Sequence, residues 1–267
     1  MDMENGKICL SFDDARLDNY TIVYPILKKY GLRATLNVTT GYVMGEPEAQ
    51  GAAEGFVPMT KEQLLELHRS GVFEIAAHGH FHHNNQADIA KGVKTLAQWM
   101  GDEWFSEGIG FASPRNHMGE ERYIAEKAFF ESQNVVYVRG HRRLYDFSSR
   151  LRNLLLGVFV VNENWYSWHT GLTCMQDPTK RSFFRSLRTT FNTPLKLWKR
   201  FVDTAAQKGK TCVFMIHSVL RPGDENYGTR YTYDAEKFEE LCKYLREMVD
   251  AGKIEVLTNM EIYKAGK

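Results

Sequence analysis

The stretch "KICLSFDDARLDNYTIVYPILKKYGLRATLNVT", residues 7–39, contains a strand, a helix and a strand in succession. "KICLSF" is a short apolar run of the kind a buried strand requires. "YTIVYPILKKYG" follows with apolar residues at helical spacing and a glycine stop at Gly31. "RATLNVT" is a second, β-branched run. Strands joined through a helical crossover run parallel, so the segment predicts an α/β fold.

The same alternation continues outward. Gly41 to Pro58 is turn-rich, with two prolines and little apolar periodicity, and is expected to be a loop near the active face. Thr60-x-x-Gln63 is a capping box that opens a helix over "KEQLLELHRSG", ending at Gly71. "VFEIAAH" is a third strand running straight into histidines. A helix around Ala87 to Met100, the strand "GIGFASP", the amphipathic "EERYIAEKAFFESQ" and the strand "NVVYVRG" come next. From His141 to Lys180 the rhythm blurs: "LLLGVFVVN" is expected as a strand, and the aromatic "ENWYSWHTGLTC" has no assignment. A helix is expected within Arg181 to Lys208, then the strand "TCVFMIH", the helix "DAEKFEELCKYLREMVDAG" and a last strand "KIEVLT". With no composition break marking a linker, residues 1–267 are expected to form a single barrel-like domain.

Bulk properties narrow the function classes. The 267 residues are 43% hydrophobic and 25% charged, ordinary for a globular protein and outside the disordered and collagen-like classes. No apolar run reaches the length of a membrane span, and the N-terminus lacks an apolar leader core. A cytoplasmic location is expected, with a secreted mature form as the alternative. Cys9, Cys174, Cys212 and Cys242 are scattered without a C-x-x-C, so buried free thiols are expected. A net charge of +1 gives no reason to expect a nucleic-acid partner. Arg139, Arg142, Arg143, Arg150 and Arg152 cluster, and a second cationic area lies between Lys180 and Arg200. A solvated, salt-bridged surface is the first reading of both; an anionic glycan or a membrane-surface head group is the alternative.

Parallel α/β folds gather their chemistry at the carboxyl ends of the strands. Here those ends carry Asp13-Asp14, "AAHGHFHHNN", "ASPRNH", "VRGHRR" and His217. His78 and His82 are four apart, and in one helical turn both imidazoles would reach one cation. Asp14 would complete an Asp-His-His triad with positions left open for water and substrate. His80 and His83 would point elsewhere. Asp13 would then take a proton from water, Arg115 would hold Asp13 ionised, and His217 would protonate a departing amine or alcohol. Taken singly, each has a plainer reading: Asp13 a strand-end cap, Arg115 a surface ion-pair partner, His217 a satisfied core histidine. Their convergence on one rim favours the chemical reading.

On these residues the sequence resembles the polysaccharide deacetylases, carbohydrate esterase family four, with their nodulation-factor-deacetylase-like domain. "SFDDA" is similar to the family's threonine-phenylalanine-aspartate-aspartate-glycine, "GVFEIAAHGHFH" to its two-histidine motif, and "VFMIH" to its late strand ending in histidine. Ala15 stands where the family has glycine, and Arg115 follows its proline where the family's arginine precedes it. The family's aspartate-tryptophan motif has no match, Trp165 and Trp168 being the nearest substitutes. The resemblance implies a distorted (β/α) barrel with about seven parallel strands. It also implies metal ligands at Asp14, His78 and His82, a base at Asp13, an acid at His217, and a divalent cation, zinc first, with cobalt, nickel or iron as alternatives. The implied reaction is removal of acetyl groups from N-acetylated, or O-acetylated, sugars of a polysaccharide or oligosaccharide, with an acetylated glycan as partner. Two alternatives stand beside it: a same-fold amidohydrolase acting on formamides or small cyclic amides, and a catalytically silent glycan-binding protein. A non-heme iron oxygenase shares the ligand set but not the βαβ rhythm.

Overall fold

A computed structural model of the chain describes residues 5–50, 55–140, 176 and 182–266. Seven strands close into a wholly parallel barrel: β1 (Gly6–Asp13), β2 (Ala34–Val38), β3 (Phe73–Ala77), β4 (Ile109–Ala112), β5 (Val135–Gly140), β6 (Phe183–Arg188) and β7 (Thr211–Ile216). Closure comes from β7 pairing with β1 along Lys7–Phe12. The opposite edge of β1 is shared: β2 takes Ser11 to Asp13, and β10 (Ile254–Val256) takes Gly6 to Ile8. A short parallel pair, β8 (Ser218–Leu220) and β9 (Thr232–Asp234), follows β7. Because all seven barrel strands run the same way, their carboxyl ends open on one mouth.

Alternation along the strands sorts the side chains into two populations. Ile8, Leu10 and Phe12 face outward into the main core beneath the helices. Cys9 packs with Tyr137, Phe184 and Val213 in a small cluster inside the barrel. Ser11 and Asp13, on the same face as Cys9, continue that interior toward the mouth, where apolar packing gives way to polar groups. Cys9 and Cys242 are buried free thiols and Cys212 is buried as well; Cys174 lies outside the described residues. Among the described residues, no helix is long and apolar enough to cross a membrane.

The local rules behave as expected at several points. Thr60 and Gln63 cap each other reciprocally at the start of the helix Lys61–Arg69. Gly31 and Gly71 take left-handed conformations just past their helices. Two expectations need correction and one is incomplete. The helix expected within Arg181 to Lys208 is Leu195–Lys208, and an unexpected strand, β6, precedes it. Phe183 and Phe184 are buried on opposite faces of β6, the first in the outer core and the second in the barrel interior, a demand that a helix could not meet. Gly41 to Pro58 is not a plain loop, for it includes the short helices Thr40–Val43 and Pro47–Gln50. "EERYIAEKAFFESQ" breaks at Glu126 into two short helices. The strand expected at "LLLGVFVVN" lies outside the described residues.

The helix Leu195–Lys208 is fixed to the barrel by Trp198, whose indole lies between Phe214 and Tyr233 with ring centroids 4.5 and 5.0 Å away and planes nearly parallel. Trp198→Ala is expected to cost about 3–5 kcal/mol, read as a lower urea midpoint with little change in far-ultraviolet circular dichroism below the transition.

Candidate metal centre and active site

The two adjacent aspartates leave β1 in different directions. Asp13 is the last residue of the strand and points into the barrel, whereas Asp14 and Ala15 take positive φ values of 78° and 58°. Two consecutive left-handed residues reverse the chain sharply and present Asp14 at the mouth. Such conformations are costly for residues with a Cβ and persist where the surroundings enforce them.

Each carboxylate has its own arginine. Arg139 reaches across from β5, a strand not adjacent to β1, and its Nη2 donates to both oxygens of Asp13 at 2.8 and 2.7 Å. Asn37 adds a donor to Asp13 Oδ1 at 2.8 Å. Asp13 Oδ2 is the oxygen that faces the mouth, 3.9 Å from His78 Nε2 and 4.0 Å from His217 Nε2. Burial works against ionisation here, but Arg139, helped by His78 and His217, holds the Asp13 carboxyl below the usual carboxylate range. Asp14 Oδ2 is gripped by Arg16 through Nε at 3.1 Å and Nη2 at 2.7 Å. Burial again opposes ionisation, and Arg16 with the neighbouring imidazoles again outweighs it.

The other oxygen of Asp14 is different. Oδ1 is buried and has no hydrogen-bond partner, yet it lies 3.7 Å from His78 Nε2 and 3.8 Å from His82 Nε2. Asp14, His78 and His82 are the group among the described residues whose donor atoms converge within 4.8 Å as a metal site requires. His78 Nδ1 sits 2.9 Å from the carbonyl of Ala112, to which it can only donate, so its Nε2 is the atom left for a ligand. Burial pushes His82 down to about 4, so its imidazole is neutral at neutral pH, the form that binds metals. The residues therefore fit a divalent cation held by one oxygen and two nitrogens.

The two histidines do not share a helical turn, as their spacing had suggested. Residues 78–83 form a loop folded by Gly79 and His82, at φ 79° and 61°. A Cβ on Gly79 would come within 2.5 Å of an Asp88 oxygen, so only glycine fits. Asp88, on the helix Gln86–Met100, accepts from the backbone N–H groups of His80, Phe81 and His83 and so fixes the loop. His80 turns away and is buried between Thr40 Oγ1 at 2.8 Å and Glu46 at 3.0 Å.

Arg115 does not support Asp13. It is exposed, in a left-handed turn of its own after β4, and the position beside Asp13 is filled by Arg139. The surface reading of the first arginine cluster fails for Arg139, which is fully buried; Arg142, Arg143, Arg150 and Arg152 lie outside the described residues. Three further participants were missed. Asn37 and Arg139 lie on strands, and the alternation that puts Tyr137 inside the barrel also puts Arg139 there, so period two was the available signal. Arg16, two residues past Asp14, gave no such signal.

His217 follows β7 and is tied to the loop after β1: Asn19 donates to its carbonyl at 2.9 Å, and Asp18 accepts from the Val219 N–H at 2.8 Å. Burial pushes its imidazole down to about 4, the aspartates notwithstanding, so it is neutral at neutral pH rather than poised near its ordinary value. His82 and His217 keep 12% and 13% of their side chains exposed, while Asp13, Asp14 and His78 are sealed below them. A substrate entering the mouth would meet these two imidazoles first.

Residues 1–103 match the family model of the polysaccharide deacetylases. The poly-beta-1,6-N-acetyl-D-glucosamine N-deacetylase of Staphylococcus aureus (strain MRSA252) is 35% identical over 78 residues, which cover 29% of this chain and 25% of that protein. The match thus spans only a quarter of the curated relative's length. Among solved structures, a candidate polysaccharide deacetylase from Mycobacterium smegmatis superposes with a TM-score of 0.56 at 13% identity, covering 99% of this chain and 91% of that one. That likeness shows the shared fold. The peptidoglycan deacetylase PdaC from Bacillus subtilis gives 0.48 at 17% identity, covering 99% and 93% of the two chains.

Calorimetric titration of the metal-free protein with zinc is expected to show one tight site per chain, weakened by more than about 100-fold in His82→Ala and by about 10-fold in Asp88→Ala. A wild-type protein that takes up no divalent ion would contradict the assignment of Asp14, His78 and His82.

Proposed function

We propose, from the polysaccharide deacetylase segment at residues 1–103, that this chain is a metal-dependent hydrolase that removes acetyl groups from N-acetylated sugars of a polysaccharide or oligosaccharide. The observation that carries the reading is the unpartnered Oδ1 of Asp14 facing two imidazole nitrogens, beside a second carboxylate held ionised by a separate arginine. A divalent cation bound by Asp14, His78 and His82 would supply Lewis acidity toward the acetyl carbonyl and lower the pKa of water at the site; zinc is the first choice.

The chain's own groups divide the proton work. Asp13 Oδ2 accepts the proton that water gives up, and Arg139 keeps it ionised until then. His217 starts neutral, and its Nε2 lies 4.0 Å from that same oxygen, a gap that one bridging water would span for a proton to pass from Asp13 to His217 and on to the departing nitrogen. Water and amide are consumed, and acetate and a free amine leave. Burial of Asp13, Asp14 and His78 excludes competing water from the charges that do this work. Tyr231, 46% exposed with its ring 5.2 Å from His217, offers an aromatic face at the mouth on which a sugar ring can stack. Trp165 and Trp168, the nearest substitutes for the family's aspartate-tryptophan motif, lie outside the described residues.

Acetate release from N-acetylglucosamine oligomers is expected for the zinc-loaded protein, with loss on chelation and a drop of at least about 1000-fold in kcat for Asp13→Asn. Turnover of formamides without turnover of acetylated glycans would favour the same-fold amidohydrolase instead. Arg139→Gln removes the charge that holds Asp13 ionised, so the Asp13 pKa rises and the acidic limb of the kcat/KM profile should move to higher pH. Tyr231→Ala should raise KM several-fold and leave kcat within about twofold, as expected for lost ground-state stacking.

A further inference from the structure

We propose that Arg16 is a positioning residue that makes Asp14 a one-oxygen metal ligand; the inference rests on the reading of Asp14, His78 and His82 as a divalent-cation site. A carboxylate with both oxygens free can wrap a cation through the pair of them. Here Arg16 donates twice to Oδ2, from Nε at 3.1 Å and Nη2 at 2.7 Å, and leaves Oδ1 alone facing the two histidines. The guanidinium is itself held on two further sides. Its Nη1 donates to Ser218 Oγ at 3.0 Å, and the plane lies 3.9 Å from the centre of the Phe56 ring. The side chain is 2% exposed, so the surrounding packing holds it in this place.

The contacts around Arg16 place this clamp at a junction. Arg16 pairs with Pro58 in an isolated bridge, and the flanking N–H groups of Leu17 and Met59 close it with the carbonyls of Val57 and Ala15. Ser218 follows His217 directly. One side chain therefore ties the Asp14 turn, the end of the Gly41 to Pro58 insertion and the segment after β7 to the geometry of one carboxylate. A cation in this site would receive three protein donors, leaving its remaining positions to water and substrate.

A bare electrostatic role predicts something different. Arg16 as a nearby positive charge would only weaken the attraction for a cation, so its loss would tighten binding and leave the number of ligands unchanged. Arg16 as a positioning residue predicts that its loss frees Oδ2, adding a fourth protein donor.

The test is the visible absorption of the Co²⁺-loaded protein, whose d–d bands weaken as coordination number rises. In Arg16→Gln the band intensity should fall to about half or less of the wild-type value. Arg16→Lys keeps the charge but loses the fork and should change the spectrum in the same direction. A wild-type spectrum in a folded Arg16→Gln protein overturns the proposal. Should that variant not fold, Phe56→Leu combined with Ser218→Ala decides: it leaves Arg16 and Asp14 in place but loosens the guanidinium, so a partial loss of intensity supports the clamp and an unchanged spectrum overturns it. Failure of the wild-type protein to bind Co²⁺ would overturn the metal reading itself, a result distinct from either.

Discussion

Two neighbouring carboxylates buried at the end of one strand are the constraint around which the mouth of this barrel is arranged. Left together they would suppress each other's ionisation, and burial alone would already protonate at least one. The chain resolves this by giving each its own guanidinium and by turning them apart. Asp13 stays in register with β1 and is met from across the barrel by Arg139; Asp14 is thrown outward by a left-handed turn and met by Arg16. The separation of roles follows from the separation of partners. Asp13 has a fully occupied Oδ1 and a mouth-facing Oδ2, while Asp14 has a fully occupied Oδ2 and a mouth-facing Oδ1.

Closure of the barrel is what allows the first of these pairings. β1 and β5 are not neighbours in the sheet, so Arg139 can reach Asp13 only through the interior. That interior is filled by a Cys9, Tyr137, Phe184 and Val213 layer below, which leaves the next layers free for Ser11, Asn37 and the ion pair. A buried ion pair of this kind gives little net stability against an apolar substitute, but removal of one partner strands a charge. Its place in the barrel therefore suits the proton chemistry proposed for Asp13 better than a need for cohesion in the fold.

The sequence made visible what is local and periodic. βαβ rhythm, capping at Thr60, the ends of β1, β3 and β7, and the trio Asp14, His78 and His82 could all be read because parallel topology brings strand ends together without knowledge of the packing. Contacts that depend on closure could not. Arg115 drew attention because it follows a strand and a proline, yet it faces solvent, while Arg139 was hidden in an arginine-rich run that looked like surface. Strand β6 was obscured for a related reason: "FFRSLR" mixes charge and aromatics in a pattern compatible with a helix, and only the gap between β5 and β7 demands a strand there. The histidine pair was singled out through a helical spacing that the structure replaces with a Gly79 turn; the two rings still meet, with centroids 4.9 Å apart, because any tight turn can bring positions four apart together.

The charge balance of the site has a further consequence. Two ionised aspartates face two permanent guanidinium groups, and His82 and His217 are driven neutral by burial, so these groups alone carry no net charge. A divalent cation placed among them would add two positive charges, of which the buried Asp18 carboxyl near Arg16 could offset only part. Such a pocket favours whatever develops negative charge within it, and in a dry, low-dielectric mouth that preference is worth far more than in water. An amide whose carbonyl oxygen gains charge as water adds to its carbon meets that requirement; a neutral sugar ring does not. For the proposed reaction, these electrostatics would draw the reacting amide, rather than the glycan carrying it, toward Asp14 and the two histidines, and would leave recognition of the sugar to the partly exposed rim.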